Sequence, residues 1–544
     1  MTQHLIALIL VCTVGSLAIA QEHPRGPTTD PTARVATTRE SQKPTEQEDK
    51  EHEKQTGDQL KTTEHSVTVN GKRIDYTATA GTLVQRDEAG NAKADMFFVA
   101  YAKQLDRAAT RPATQRGVMP TTQRDLRPVT FVFNGGPGAA SVWLHLGTAG
   151  PRRVSLKDNS LPGPPPYHLV ENEFSWLDAT DLVFIDPVGT GYSRPAKGEK
   201  GEQFYGVQED IQSMAAFIRL WTTRYQRWPS PKFLAGESYG TTRAAGLSRY
   251  LLNRQGISLN GIVLISSVLD FQTLHPGAGN DLPYALFLPS YCASARFHQK
   301  LPSELQQMEM DKLMDEVRSW STGDYLVALG KGDQLSDQER RAVAEKLSRY
   351  SGLPVDWLLR ADLRIDPSRF MKQLLADQRK VIGRFDARIS GFAADPLDVE
   401  QDYDPSLAPY LTAYTADFNA YVRRELKFES DLPYEVLSSR VQPWNYGPGG
   451  NGYLYVADDL RDAILQNPDM KVLFCNGWTD LATPFAATEY TIEHMRLARE
   501  LKGNIHKTYY DGGHMMYHVG DSLRKLHDDI AAFITNNSTP ATSR

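Results

Sequence analysis

Lys232-Phe233-Leu234-Ala235-Gly236-Glu237-Ser238-Tyr239-Gly240-Thr241 is the stretch that decides how this 544-residue chain is read. The apolar run up to Ala235 predicts a short buried strand, and residues 241–252 carry the spacing of a helix. Between them, Gly236-Glu237-Ser238-Tyr239-Gly240 fits the pattern G-x-S-x-G. So sharp a turn from strand to helix thrusts Ser238 outward, and a side chain at either flanking glycine would collide with neighbouring backbone. Five residues alone are a weak signal in a chain with 40 glycines. The strand before, the helix after and the room downstream for an aspartate and then a histidine give the pattern its weight.

The same grammar extends outward. Upstream, residues 129–133 are a β-branched and aromatic run ending at Asn134-Gly135-Gly136-Pro137-Gly138, and 181–186 is another ending at Pro187-Val188-Gly189-Thr190-Gly191. A helical pattern covers 208–225, and 261–267 reads as a further buried strand. Continuous apolar strands alternating with helices predict a parallel sheet covered on both faces. The alternation stops after residue 270. Ser303/Gln306 and Ser336/Glu339 have capping-box spacing, Gly352 can close the second helix, and Leu411, Tyr414, Phe418, Tyr421 and Val422 form one helical stripe. Strand grammar resumes at 471–475 and 507–510, each followed by a helix.

The expected architecture is therefore α/β: a mostly parallel central sheet interrupted by a mainly helical cap. Residues 65–270 form the first part of the core, 271–455 the cap insertion, and 456–535 the second part. Ahead of the sheet, Asn70-Gly71 between alternating runs (66–69 and 72–78) predicts a hairpin, with 82–84 and 96–101 as further strands of that ribbon. Residues 105–127 read as a surface excursion.

The ends read differently. Residues 5–20 are apolar, finish in Ala18-Ile19-Ala20 and give way at once to polar residues, the pattern of a signal peptide (1–20) cleaved after Ala20. That predicts a secreted or periplasmic protein with no stable membrane insertion once the leader is removed. Residues 21–64, rich in Thr, Pro, Glu, Lys and Gln, are expected to be a disordered linker, and 536–544 a disordered tail. Hydrophobic residues make up 40% of the chain, enough for a large core. Lys+Arg of 60 against Asp+Glu of 66 leaves a net charge of −6, with no basic field for nucleic acid. Three cysteines exclude a disulfide scaffold and a thiolate-built zinc site, and no metal or cofactor motif occurs.

Two candidates complete the chemistry at Ser238. Asp480 lies just beyond 471–475 and His514 just beyond 507–510, at the carboxyl ends of successive strands, where open α/β sheets place their sites. An imidazole takes the hydroxyl proton, and a carboxylate fixes its tautomer and stabilises the imidazolium. The 134–138 turn lacks the Lys-Ser/Thr of a phosphate loop and reads better as half of an oxyanion hole, where glycines let backbone N–H groups approach. Gly447–Gly452 satisfies G-x-G-x-x-G, but no helix opens after it, so it reads as a loop.

Over roughly 66–533 the chain resembles the serine carboxypeptidases. The resemblance lies in the glycine turn through Gly150-Pro151, in 172–176 with 186–193, in Gly236–Gly240, in Asp480 and in Gly513-His514-Met515. It implies the α/β-hydrolase fold and a serine-type carboxypeptidase acting through an acyl-enzyme on Ser238, with His514 as general base and Asp480 as its orienter. It also implies oxyanion donors at the backbone N–H groups of Gly136 and Tyr239. The substrate carboxylate would be held by Asn134, Gly135 and a protonated Glu237. The family usually places a second carboxyl three residues before Pro151, where this chain has Thr148, and many members carry a cysteine where Ala139 and Ala140 stand. A hydroxyl can donate to the substrate but cannot share an acid proton with Glu237, which favours an esterase or acyltransferase as the alternative. The expected partner is a peptide or ester substrate.

Overall fold

The computed structural model describes residues 57–105, 126–157, 160–398, 401–447 and 452–538. The leader, the linker up to residue 56, the excursion at 106–125 and residues 539–544 lie outside the described residues. The described residues open with three long strands, β1 (Gln59–Val69), β2 (Lys72–Arg86) and β3 (Ala92–Lys103). Asn70 and Gly71 both take positive φ, 47° and 73°, as a tight two-residue hairpin demands. Then follow β4 (Val129–Phe133), β5 (Asp181–Ile185), β6 (Lys232–Ser238), β7 (Gly261–Ser267), β8 (Lys471–Gly477) and β9 (Ile505–Tyr510). They lie in the order β1-β2-β3-β5-β4-β6-β7-β8-β9. The first three strands and the β3–β5 pair run antiparallel, and every pair from β5 to β9 is parallel. A two-residue strand, Arg194–Pro195, pairs with β3.

Burial on both faces explains the continuous apolar strands. Phe131, Ile262, Leu264 and Phe474 face a core built with helices Val207–Arg224, Tyr239–Tyr250 and Ala457–Gln466. Their alternating neighbours Val132, Val263, Ile265 and Cys475 face a second core with helix Gly520–Asn536. Cys475 and Cys292 are both free and buried.

Between β7 and β8 the chain is mostly helical from Leu282–Phe297 to Pro367–Gln373, gathered around its own apolar cluster. That cluster includes Trp478, Leu481 and Phe485, from the segment carrying Asp480. Arg318 lies over the Trp478, Phe485 and Tyr509 rings, 5.0 to 5.8 Å from their centroids, and its Nε is 2.9 Å from Glu489.

The structure corrects four expectations. Residues 59–64, assigned to the linker, are the start of β1; their side chains are largely exposed, and the backbone ladder to β2 (Gln59↔Thr82 through Glu64↔Thr77) holds them. Residues 536–538, assigned to the tail, close the last helix, and Asn260 Nδ2 donates to the Asn537 carbonyl at 3.0 Å. Ser303 forms no capping box: Pro302 is the N-cap, one residue early, and Gln306 Nε2 donates instead to the Arg296 carbonyl at 2.7 Å. Ser336 and Glu339 do form the reciprocal box, and Gly352 ends that helix at φ 71°. The aromatic stripe of helix Ala408–Arg424, read as part of the cap, packs into the core of the sheet, where Phe418 meets Phe97 and the Tyr421 hydroxyl lies 2.9 Å from that of Tyr101.

Candidate active site

β6 ends on Ser238, whose φ of 60° and ψ of −131° lie in a region that side-chain-bearing residues seldom occupy. Helix Tyr239–Tyr250 begins at the next residue. The glycines carry the turn. A Cβ on Gly236 would sit 2.2 Å from the Gly240 carbonyl oxygen, and one on Gly240 2.9 Å from the Phe133 oxygen. Behind the turn, buried Arg243 pairs with Asp210 at 2.6 Å, and its guanidinium lies 5.4 Å from the centroids of both the Phe133 and Tyr239 rings. Removing either charge would strand the other in a dry interior.

Asp480 and His514 come together as expected. His514 Nδ1 is 2.9 Å from Asp480 Oδ2, both side chains being buried. Asp480 Oδ1 accepts from the backbone N–H groups of Ala482 and Thr483 at 2.7 and 2.9 Å, and the Thr483 hydroxyl donates to Oδ2 at 2.8 Å. With a carboxylate on Nδ1, the proton belongs there and Nε2 is left as the basic nitrogen. His514 Nε2 is buried and has no hydrogen-bond partner. The sheet brings the His514 segment to the elbow: Ser267 of β7 is in register with Ser238, and the Ser266 hydroxyl donates to the His514 carbonyl at 2.7 Å.

Gly135 packs so closely on the elbow that a Cβ there would be 2.4 Å from the Tyr239 nitrogen. The backbone of the glycine turn therefore lies beside the first N–H of the helix, with Gly136 at φ 98°. An oxyanion there would meet donors from both segments. Asn134 Nδ2 donates to Glu237 Oε1 at 2.9 Å, and Asn134 Oδ1 accepts from the Leu144 N–H at 3.0 Å. Burial pushes the Glu237 carboxyl up to about 7; His514 nearby pulls the other way, and Asp480 adds to the rise. Tyr517 lies beside this carboxyl, yet neither its hydroxyl nor Glu237 Oε2 has a hydrogen-bond partner of good geometry. Thr148 is fully buried, and its hydroxyl is likewise unpartnered.

Residues 118–520 match the family of serine carboxypeptidases. The chain belongs to that family. Serine carboxypeptidase-like 36 of Arabidopsis thaliana is 28% identical over 396 residues, covering 71% of this chain and 68% of that protein. The pheromone-processing carboxypeptidase KEX1 of Yarrowia lipolytica is 31% identical over 381 residues, covering 68% of this chain and 52% of that one. The chain thus spans about half the length of the latter relative. Among solved structures, a monoacylglycerol lipase of Paleococcus ferrophilus is similar at 12% identity and a TM-score of 0.29, over 75% of this chain and 94% of that one. Family and strand order together make this an α/β-hydrolase fold.

Sequence reasoning missed several residues of this carboxypeptidase-family site. Thr483, three residues after Asp480, was visible as a local Asp-x-x-Thr turn. Ser266, Tyr517 and a turn of the insertion at 384–388, which touches the Asp480 and His514 segments, carry no local signal. Among the described residues, no group of three or more His, Cys, Asp or Glu could hold a metal ion, and no helix is long and apolar enough to cross a membrane.

Proposed function

We propose that the protein is an exported serine-type carboxypeptidase in which Ser238, His514 and Asp480 act as a triad. Ser238 Oγ attacks the carbonyl carbon of the last peptide bond as His514 Nε2 takes its proton. The oxyanion is stabilised by the N–H groups of Gly136 and Tyr239. His514 then gives its proton to the departing amine, and water repeats the sequence on the acyl-enzyme. Asn134, Gly135 and a protonated Glu237 hold the free carboxylate of the substrate, which fixes cleavage to the chain end. The observation that carries this reading is the buried Asp480–His514 contact on the two segments expected to supply it, within a chain of the serine carboxypeptidase family.

Thr148 favours a second reading, an esterase or acyltransferase, because its hydroxyl donates equally well to a neutral carbonyl. One comparison separates the two: kcat/KM for a peptide with a free C-terminus against the same peptide amidated. The carboxypeptidase reading expects the free acid to be preferred by at least about tenfold, the range of a charge-assisted hydrogen bond. Equal rates on both, with faster turnover of simple esters, would establish the alternative.

A further inference from the structure

The insertion does more than lie beside the site. Its two-stranded hairpin, Lys380–Ile382 paired with Ser390–Phe392, presents a turn at 384–388 to both segments that carry the acid–base pair. The Phe385 carbonyl accepts from the His514 N–H at 2.5 Å, and the Arg384 carbonyl from the Leu481 N–H at 3.1 Å. Ala387 N–H donates to the Thr479 carbonyl at 3.1 Å, while the Thr479 hydroxyl donates to Asp386 Oδ1 at 2.9 Å. The Phe385 ring lies 5.0 Å from the imidazole of His514, tilted by 58°. Contact is tight enough that a Cβ on Gly513 would stand 2.0 Å from the Phe385 oxygen.

The turn is itself braced. Asp386 is buried, and Arg388 closes on it through Nε at 3.0 Å and Nη2 at 2.5 Å. Ser406 Oγ accepts from the N–H groups of Phe385 and Asp386 at 3.0 and 3.1 Å and donates to Asp404 at 2.6 Å. A braced turn bonded to the residues immediately flanking Asp480, and to His514 itself, fixes the separation of carboxylate and imidazole. A displacement of about 1 Å in such a pair costs up to about a hundredfold in rate.

We propose that the 384–388 turn, with Asp386 as its central positioning residue, holds the Asp480–His514 pair in working geometry, so that the insertion completes the catalytic machinery. This rests on the assignment of Ser238, His514 and Asp480 as the triad. The Asp386 carboxylate bonds to Thr479 and Arg388, so it acts through Thr479 and through the shape of the turn.

The test uses the full chain and two readouts. One is the rate at which a small fluorophosphonate labels Ser238, which needs an activated serine but few substrate contacts. The other is kcat and KM on a peptide. Both are measured at a temperature where circular dichroism shows every variant folded. Asp386→Ala should slow labelling and lower kcat together, by about ten- to a hundredfold, with KM changed by less than about twofold. Asp386→Asn keeps an acceptor for the Thr479 hydroxyl and should recover most of the loss. Thr479→Val should act in the same direction, and the double variant should be little worse than Asp386→Ala, because both remove one contact. Should Asp386→Ala not fold, Thr479→Val carries the comparison. Unchanged labelling, or a rise in KM alone, would overturn the proposal. A wild-type enzyme that takes no label on Ser238 in peptide mapping would overturn the triad and this inference with it.

Discussion

The elbow at Ser238 and the Asp480–His514 pair are held by opposite means. At the elbow Gly236 meets Gly240 with the strained Ser238 between them, and Gly240 closes on the Phe133 carbonyl of the adjacent strand. The acid–base pair is held from a distance, since the Asp386 side chain that grips Thr479 is 93 residues away in the chain. Ser238 is thus fixed by its own turn and by the neighbouring strands of the sheet, whereas Asp480 and His514 also lean on a docked insertion.

Breaking the elbow's chemistry gives the largest expected effect. Ser238→Ala should lower kcat by about four to six orders of magnitude. Thermal melting should stay close to wild type, because alanine fits the turn and relieves no contact. Peptide hydrolysis and a melting curve on the same preparation check both halves.

Two glycine substitutions sharpen the contrast. Gly236→Ala places its methyl against backbone within the elbow, and Gly513→Ala places one against the Phe385 carbonyl of the insertion. Each should cost about 1–3 kcal/mol in a chemical-denaturation curve through overpacking. Gly513→Ala should also lower kcat per folded molecule by displacing His514 from Asp480, as measured by activity against labelled-site concentration.

Glu237 probes the boundary between the two regions. Burial raises its pKa from 4.5 to about 7, so the folded state keeps a proton that the unfolded chain has already lost. Stability contributed by the neutral carboxyl is therefore present below about pH 4.5 and lost as pH rises through about 7. Glu237→Gln stays neutral, so its melting temperature should gain on wild type progressively between about pH 5 and 8. In the wild type, KM for a free-acid peptide should climb above about pH 7, where Glu237 ionises and repels the substrate carboxylate. An amidated peptide should show no such limb.

The smallest effect belongs to Ser336→Ala. It removes a reciprocal cap from helix Asp337–Ser351 on the insertion, at a cost of about 1 kcal/mol in thermal melts. Peptide kcat should not change, because the 384–388 turn is braced by Ser406, Asp404 and Arg388 and not by that helix.

What could be read from sequence follows the same division. The strands of the parallel sheet, the elbow and the glycine turn were legible because strand ends and glycine spacing are local signals. Asp480 and His514 were legible because each follows a strand pattern within a few residues. The start of β1 at Gln59 was not, since its residues pair through backbone while their side chains stay in solvent. Nor was the destination of helix Ala408–Arg424: a buried aromatic stripe declares a face but not which layer receives it. Ser266, Tyr517 and the 384–388 turn meet the site only through tertiary contacts. No spacing in the chain encodes them.

Removal of residues one at a time from a free carboxyl end is what sets the proposed activity of this site apart. Mass spectrometry of a peptide digested by the wild-type enzyme tests it most directly. The expected result is a ladder of products shortened stepwise from the C-terminus, with the N-terminus intact, that forms at least about tenfold more slowly when that C-terminus is amidated. Internal cleavage products, or an undigested peptide under conditions where simple esters are hydrolysed, would contradict it.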